Sequence, residues 1–103
     1  MKSVKEIRDD LKNIRYFYSR KKIFEEVSIS VGENSIKDLI QTYQNAVCYA
    51  PPRLYDLYVS LYMQNITQEE LSYQLGYSTE HISRLNGQLV KFLHFKLNNK
   101  EVS

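Results

Sequence analysis

The stretch Thr67-Gln68-Glu69-Glu70-Leu71-Ser72-Tyr73-Gln74-Leu75-Gly76-Tyr77-Ser78-Thr79-Glu80-His81-Ile82-Ser83-Arg84-Leu85-Asn86 decides the fold. Thr67 and Glu70 make a capping-box pattern, in which a hydroxyl and a carboxylate each satisfy a backbone N–H left free at a helix start. Gly76 stands where a helix C-terminus needs a left-handed residue, so the helix opened at Thr67 is short. Ser78 or Thr79 then opens another helix. Leu71, Leu75, Ile82 and Leu85 fall where two such helices must bury apolar side chains against each other. Ser72 is small where they approach, and Tyr77 is expected to pack behind the turn. A short helix, a tight turn and a second helix with a free N-terminal half make a helix-turn-helix. A plain helical hairpin with a glycine cap shares part of this pattern.

Downstream, Ile82, Leu85, Leu89, Phe92 and Leu93 carry the apolar stripe on toward Lys96, which makes the last helix long. Upstream, Asn65 closes a helix that starts at Pro51-Pro52, where proline is acceptable in a first turn, and that buries Leu54, Leu57, Tyr58, Leu61 and Tyr62. Asn65-Ile66-Thr67 fits a glycosylation acceptor but reads here as a turn entering a helix. The preceding helix is expected to start near Ser35, with Asp38 completing its cap, and to bury Ile36, Leu39, Ile40, Tyr43 and Val47. Phe24 to Val31, followed by Gly32, reads as an irregular or briefly extended connection. The first helix opens on a Ser3 and Glu6 capping box and is amphipathic, with Val4, Ile7, Leu11, Ile14 and Tyr18 at helical spacing. Its seam suits a coiled-coil-like contact within the chain or with a second copy. The expected fold is all-α with about five helices. Residues 1–50 form a helical support or self-association region and residues 51–103 carry the helix-turn-helix, within one compact domain.

The bulk composition fits this. The chain has 103 residues, 43% hydrophobic and 25% charged, with three Gly and two Pro to interrupt it. Such values are ordinary for a globular domain and argue against disorder. A lone Cys48 rules out an internal disulfide. No long apolar run offers a signal peptide or membrane span, so the expected location is cytoplasmic, without a membrane partner. Catalysis is not expected: His81 and His94 are far apart, no paired metal-binding motif surrounds them, and Gly32, Gly76 and Gly87 are too scattered for a phosphate loop. Neither metal, cofactor nor small-molecule substrate is implied. The net charge of +2 is mild, and its distribution is more informative. From His81 to Lys100 the charged residues are Arg84, Lys91, Lys96 and Lys100, with no acid among them. A second basic cluster, Arg20-Lys21-Lys22, follows Arg15 and Tyr16-Phe17-Tyr18. The bland reading of a basic helix end is a favourable interaction with the helix dipole.

Thr67-Gln68-Glu69-Glu70-Leu71 and Leu75-Gly76-Tyr77-Ser78-Thr79-Glu80-His81-Ile82-Ser83-Arg84-Leu85, with the helix Arg53 to Gln64 before them, resemble the helix-turn-helix of sigma-70 region 4. In that family the recognition helix opens on a hydroxyl residue, has an acid two positions on and presents basic or amide groups to promoter DNA. Ser78, Glu80 and Arg84 match by position. Thr79, His81 and Ser83 stand where the family usually has further arginines. Over its whole length, including Arg15-Tyr16-Phe17-Tyr18-Ser19-Arg20-Lys21 and Ala50-Pro51-Pro52-Arg53-Leu54-Tyr55-Asp56-Leu57-Tyr58, the chain also resembles small prophage proteins of streptococci that are distant relatives of sigma region 4. The resemblance implies a phage-type transcriptional regulator that binds the major groove of double-stranded DNA.

The residues themselves are suited to that task. Arg84 can make a two-pronged contact with guanine, Glu80 can accept from a cytosine amino group, and Ser78, Thr79, His81 and Ser83 can bond to bases or phosphates. Lys91, and beyond it Lys96, can reach phosphates, and Gln68 can contact the backbone from the preceding helix. Each is also an ordinary helix-surface residue, and an acid at Glu80 also suits the helix dipole. Tyr43, Tyr58 and Tyr62 are expected in the core with their hydroxyls reaching the surface, whereas Tyr16 and Tyr18 beside Arg15, Arg20 and Lys21 have an interaction surface as their alternative reading. One helix-turn-helix reads few base pairs, so a homodimer or RNA polymerase is expected to supply the rest. The alternative is an adaptor that keeps the fold without DNA binding and docks on RNA polymerase or another phage protein.

Overall fold

The computed structural model describes residues 2–20 and 33–99. Among these there are five helices and no strand: α1 (Val4–Ser19), α2 (Glu33–Val47), α3 (Pro52–Tyr58), α4 (Gln68–Leu75) and α5 (Thr79–Asn98). The described residues are therefore all-α, as the periodicity predicts. The Phe24 to Val31 connection, Lys21, Lys22 and Lys100 lie outside the described residues.

Helix α1 starts where the capping box says it should. The Ser3 hydroxyl accepts from the Glu6 N–H at 3.1 Å, and the Glu6 carboxylate accepts from the Ser3 N–H at 2.9 Å. These bonds favour the charged carboxylate and hold the Glu6 pKa below its usual range. Ile7, Leu11 and Ile14 are buried, but Phe17 rather than Tyr18 completes the stripe. The Tyr18 ring is half-buried and meets Phe17 edge-on, with centroids 5.5 Å apart. Val4, expected on the seam, is largely exposed.

Helix α2 starts earlier than Ser35, which lies inside the helix and so caps nothing. A hydroxyl in a first turn resembles a cap in sequence, and only backbone position distinguishes them. Asp38 likewise completes no cap; its backbone carbonyl accepts from the Thr42 hydroxyl at 2.9 Å. Ile40, Tyr43, Ala46 and Val47 are buried, with Ile36 and Leu39 packed beside them. Pro52 is the first residue of α3, where its missing N–H costs nothing.

Beyond α3 the chain does something that periodicity does not signal: it widens into a π-helical stretch, Val59–Met63. There the Gln64 N–H donates to the Val59 carbonyl at 2.8 Å and the Ile66 N–H to the Ser60 carbonyl at 3.0 Å. Asn65 turns the chain with a left-handed φ of 58°, a conformation that asparagine adopts more readily than most residues. The Leu61 carbonyl is thereby left without a helical donor. Arg15 of α1 supplies one: its guanidinium donates to the carbonyls of Leu61, Asn65 (3.1 Å) and Ile66 (3.2 Å). In return the Asn65 side-chain amide donates to the Arg15 carbonyl at 3.0 Å. Arg15 is thus a structural latch and not part of a surface basic cluster.

The buried residues of all five helices form one cluster, with α1 packed on the π-helical stretch, on α5 and on α2. Lys2 and Asn98 exchange two hydrogen bonds of 2.8 Å between backbone and side chain, tying the start of α1 to the end of α5. Tyr43, Tyr58 and Tyr62 are buried, but their hydroxyls do not reach the surface as expected. Tyr62 donates to the buried Asn86 of α5, and Tyr43 donates to Asp10 at 2.7 Å. Burial, and then the neighbouring carboxylate, push the Tyr43 hydroxyl far above its usual range. The Tyr58 hydroxyl is buried with no hydrogen-bond partner, and burial raises its pKa strongly as well.

Removing the latch and removing the orphaned hydroxyl have opposite expected effects on stability. Arg15→Ala is expected to lower stability by about 1.5–3 kcal/mol, the range for hydrogen bonds to a charged group. Arg15→Lys restores little of it, because an ammonium lacks the planar fork that reaches several carbonyls at once. Urea unfolding with an unchanged slope and a shifted midpoint checks both variants. Tyr58→Phe removes a hydroxyl that has lost its water and gained no partner, so the same titration is expected to show stability retained or raised, by up to about 1–3 kcal/mol.

Candidate nucleic-acid interface

Thr67 caps α4, its hydroxyl accepting from the Glu70 N–H at 3.0 Å. Only this half of the expected capping box forms, since the Glu70 carboxylate turns instead to the Gln74 amide at 3.4 Å. At the other end Gly76 has a φ of 73°. The Tyr77 N–H donates to the Ser72 carbonyl at 2.9 Å and the Gly76 N–H to the Tyr73 carbonyl at 3.4 Å. This pair of bonds is the Schellman motif, which satisfies carbonyls that a helix end leaves free. Ser78 then caps α5, its hydroxyl accepting from the His81 N–H at 3.0 Å. A hydroxyl assigned by sequence to DNA is thus already engaged as a cap.

Leu71, Ile82 and Leu85 are buried between α4 and α5, and Ser72 is buried where small size was expected. Leu75 departs from the prediction and is 53% exposed. It is the last residue of α4 before the glycine turn. Tyr77 does not pack behind the turn either: it is half-exposed, its ring edge-on to His81 at 4.6 Å. Tyr73 is 90% exposed. Leu75 and Tyr77 line an open groove of about 230 Å³ that continues onto Arg53, Asp56 and Leu57 of α3 and reaches His81.

Most of the sequence-predicted residues share one surface. Thr79, Glu80, Ser83, Arg84 and Lys91 are exposed along α5, His81 is half-buried against Tyr77, and Gln68 is half-exposed at the start of α4. Ile82, Leu85, Asn86, Leu89, Val90 and Leu93 fix the opposite face in the core. A helix anchored on one face presents the other rigidly. Glu80 and Arg84 lie one turn apart and meet at 3.5 Å with both side chains mostly exposed. Such a pair contributes about 0.3–0.5 kcal/mol, so Arg84 leaves it at little cost.

Sequence reasoning missed Gln88, which is exposed one turn beyond Arg84 and one turn before Lys91 on the same outward strip. Extending the four-residue step from Arg84 finds it. It also gave no weight to Gly87. A Cβ built there meets nothing within 4 Å, so packing within the protein does not require a glycine that costs a helix roughly 1 kcal/mol relative to alanine. Among the described residues no group of His, Cys, Asp or Glu is gathered as a metal site, and no helix is long and apolar enough to cross a membrane.

Comparisons with family models, curated proteins and solved structures found no match to this chain.

The turn itself is open to test. Gly76→Ala is expected to cost about 1–2 kcal/mol, the strain of a left-handed residue bearing a Cβ. The site holds no atom for the methyl to strike, so Gly76→Asn, which tolerates that backbone, should recover part of the loss in thermal melts.

Proposed function

We propose that the protein is a DNA-binding transcriptional regulator of the phage type, with α4, the Gly76 turn and α5 as its helix-turn-helix and α5 as the helix that enters the major groove. The observation that carries this reading is the outward strip of α5. Glu80, Ser83, Arg84, Gln88 and Lys91 are exposed on a helix whose opposite face is locked into the core. In this reading Arg84 leaves Glu80 to make a two-pronged contact with guanine, and Glu80 is released to accept from a cytosine amino group. Thr79, Ser83, Gln88, the half-buried His81 and the cap Ser78 bond to base edges or phosphates, while Lys91 and Gln68 hold the backbone. Gly87 keeps the strip low where DNA approaches, a use of glycine that explains its presence mid-helix. The likeness of the Thr67 to Leu85 stretch to sigma-70 region 4 supports the same assignment. One such module reads few base pairs, so a second copy of the chain or RNA polymerase supplies the remaining affinity.

A second reading has its own observation. The exposed Leu75 and Tyr77 and the groove they line form an apolar surface at the turn, the kind of patch that marks a protein contact. In that reading the protein is an adaptor that docks on RNA polymerase or another phage protein and leaves DNA alone.

Selection from a randomised duplex library, followed by fluorescence anisotropy titration, separates the two. The regulator reading expects an enriched sequence, and expects Arg84→Ala to weaken binding to it by about 1–3 kcal/mol and to relax preference at one base pair. No enrichment, together with salt-insensitive or absent duplex binding, leaves the adaptor.

A further inference from the structure

We propose that the outward ridge of α1, formed by Arg8, Lys12, Tyr16 and Arg20, is a second nucleic-acid contact that follows a phosphate backbone beside the recognition helix; it rests on the duplex-binding reading given above. The four residues recur at four-residue steps and all four are exposed. Helical rise sets successive steps about 6 Å apart along the axis.

Among the described residues no acid neutralises the charge on this ridge. Every acid of α1 is already engaged: Glu6 with the Ser3 N–H at 2.9 Å, Asp9 with Lys5 at 3.1 Å, and Asp10 with both Lys2 at 2.8 Å and the Tyr43 hydroxyl at 2.7 Å. Among the described residues Arg8, Lys12 and Arg20 make no ion pair. Arg20 lies over the Tyr16 ring, 5.0 Å from its centroid, an arrangement that orients the guanidinium and leaves its charge intact.

The Arg15 latch puts this ridge next to the helix-turn-helix. Arg15 stands between Lys12 and Tyr16 in α1, and its guanidinium holds the carbonyls of Asn65 and Ile66. The next residue is Thr67, the cap of α4, and in a helix-turn-helix the first helix crosses the DNA backbone. The C-terminal turns of α1 are therefore tied to the segment that leads into α4, the helix that crosses the backbone in the proposed complex. A lipid surface fits less well: Ile7, Leu11 and Ile14 are buried in the core, so α1 has no free apolar face to insert.

The test uses the full chain carrying Arg8→Gln, Lys12→Gln and Arg20→Gln together, with folding checked by thermal melt. Its binding is titrated on the selected duplex and on a scrambled one, at about 50 and 200 mM salt. The expected result is an affinity lowered by the same factor for both duplexes, at least about tenfold at low salt, with the log–log salt slope shallower by about 2–3. The ratio between the duplexes stays unchanged, whereas Arg84→Ala changes it. Unaltered affinity and slope in the triple variant, with Arg84→Ala still weakening binding, overturns the ridge and leaves the recognition helix standing. Loss of binding to phosphatidylserine vesicles with duplex binding intact overturns it in favour of a membrane. Absence of duplex binding by the unsubstituted chain overturns this inference and the regulator reading together.

Discussion

The placement of α4 and α5 depends on Arg15. A helix that ends in a π-helical stretch and a left-handed asparagine leaves carbonyls pointing at no donor, and buried carbonyls without donors are costly. The Arg15 guanidinium answers those of Leu61, Asn65 and Ile66 together, and Asn65 answers the Arg15 carbonyl. The bonds run between α1 and the segment that delivers the chain to α4. They fix the angle at which α4 begins, and through the Schellman turn the angle of α5. The Tyr62 to Asn86 bond makes a second tie from the same segment to α5. The exposed strip from Glu80 to Lys91 thus owes its orientation in part to Arg15 and Tyr62, which lie outside α4 and α5.

Local chemistry was readable from sequence wherever one residue type answers one backbone need. Ser3, Thr67 and Ser78 each cap a helix, Pro52 starts one, and Gly76 takes left-handed backbone. Periodicity found most of the core, including Leu54, Leu57 and Leu61 across the π-helical stretch, but passed over Phe17, Ala46 and Val90. It failed where tertiary geometry decides. Leu75 fits a helical stripe but sits on the last turn before Gly76, where no helix remains to cover it. Arg15 reads as one more cation in a basic run, because nothing local shows that a turn some fifty residues away lacks donors. The tyrosine hydroxyls were misplaced for the same reason: their partners, Asp10 and Asn86, belong to other helices.

The candidate site was partly legible. The exposed polar positions of α5 follow from its apolar ones, because fixing the buried face fixes the other. The Glu80 to Arg84 pair also follows from spacing, although its consequence does not: the two side chains assigned separate bases neutralise each other until something competes for them. Gln88 and Gly87 were overlooked because neither residue type announces a role, and only their place between Arg84 and Lys91 marks them out.

The π-helical stretch Val59–Met63 has a geometrical consequence of its own. A π turn accommodates one residue more than an α turn, and each residue of an α-helix advances the chain by about 100° around the axis. The extra residue therefore acts as a rotational offset between the first helices and everything after Met63. Chain length at this point, more than any side chain on α5, selects the compass bearing of α5. A lineage that gained or lost a single residue here would turn the same exposed chemistry toward a different neighbour.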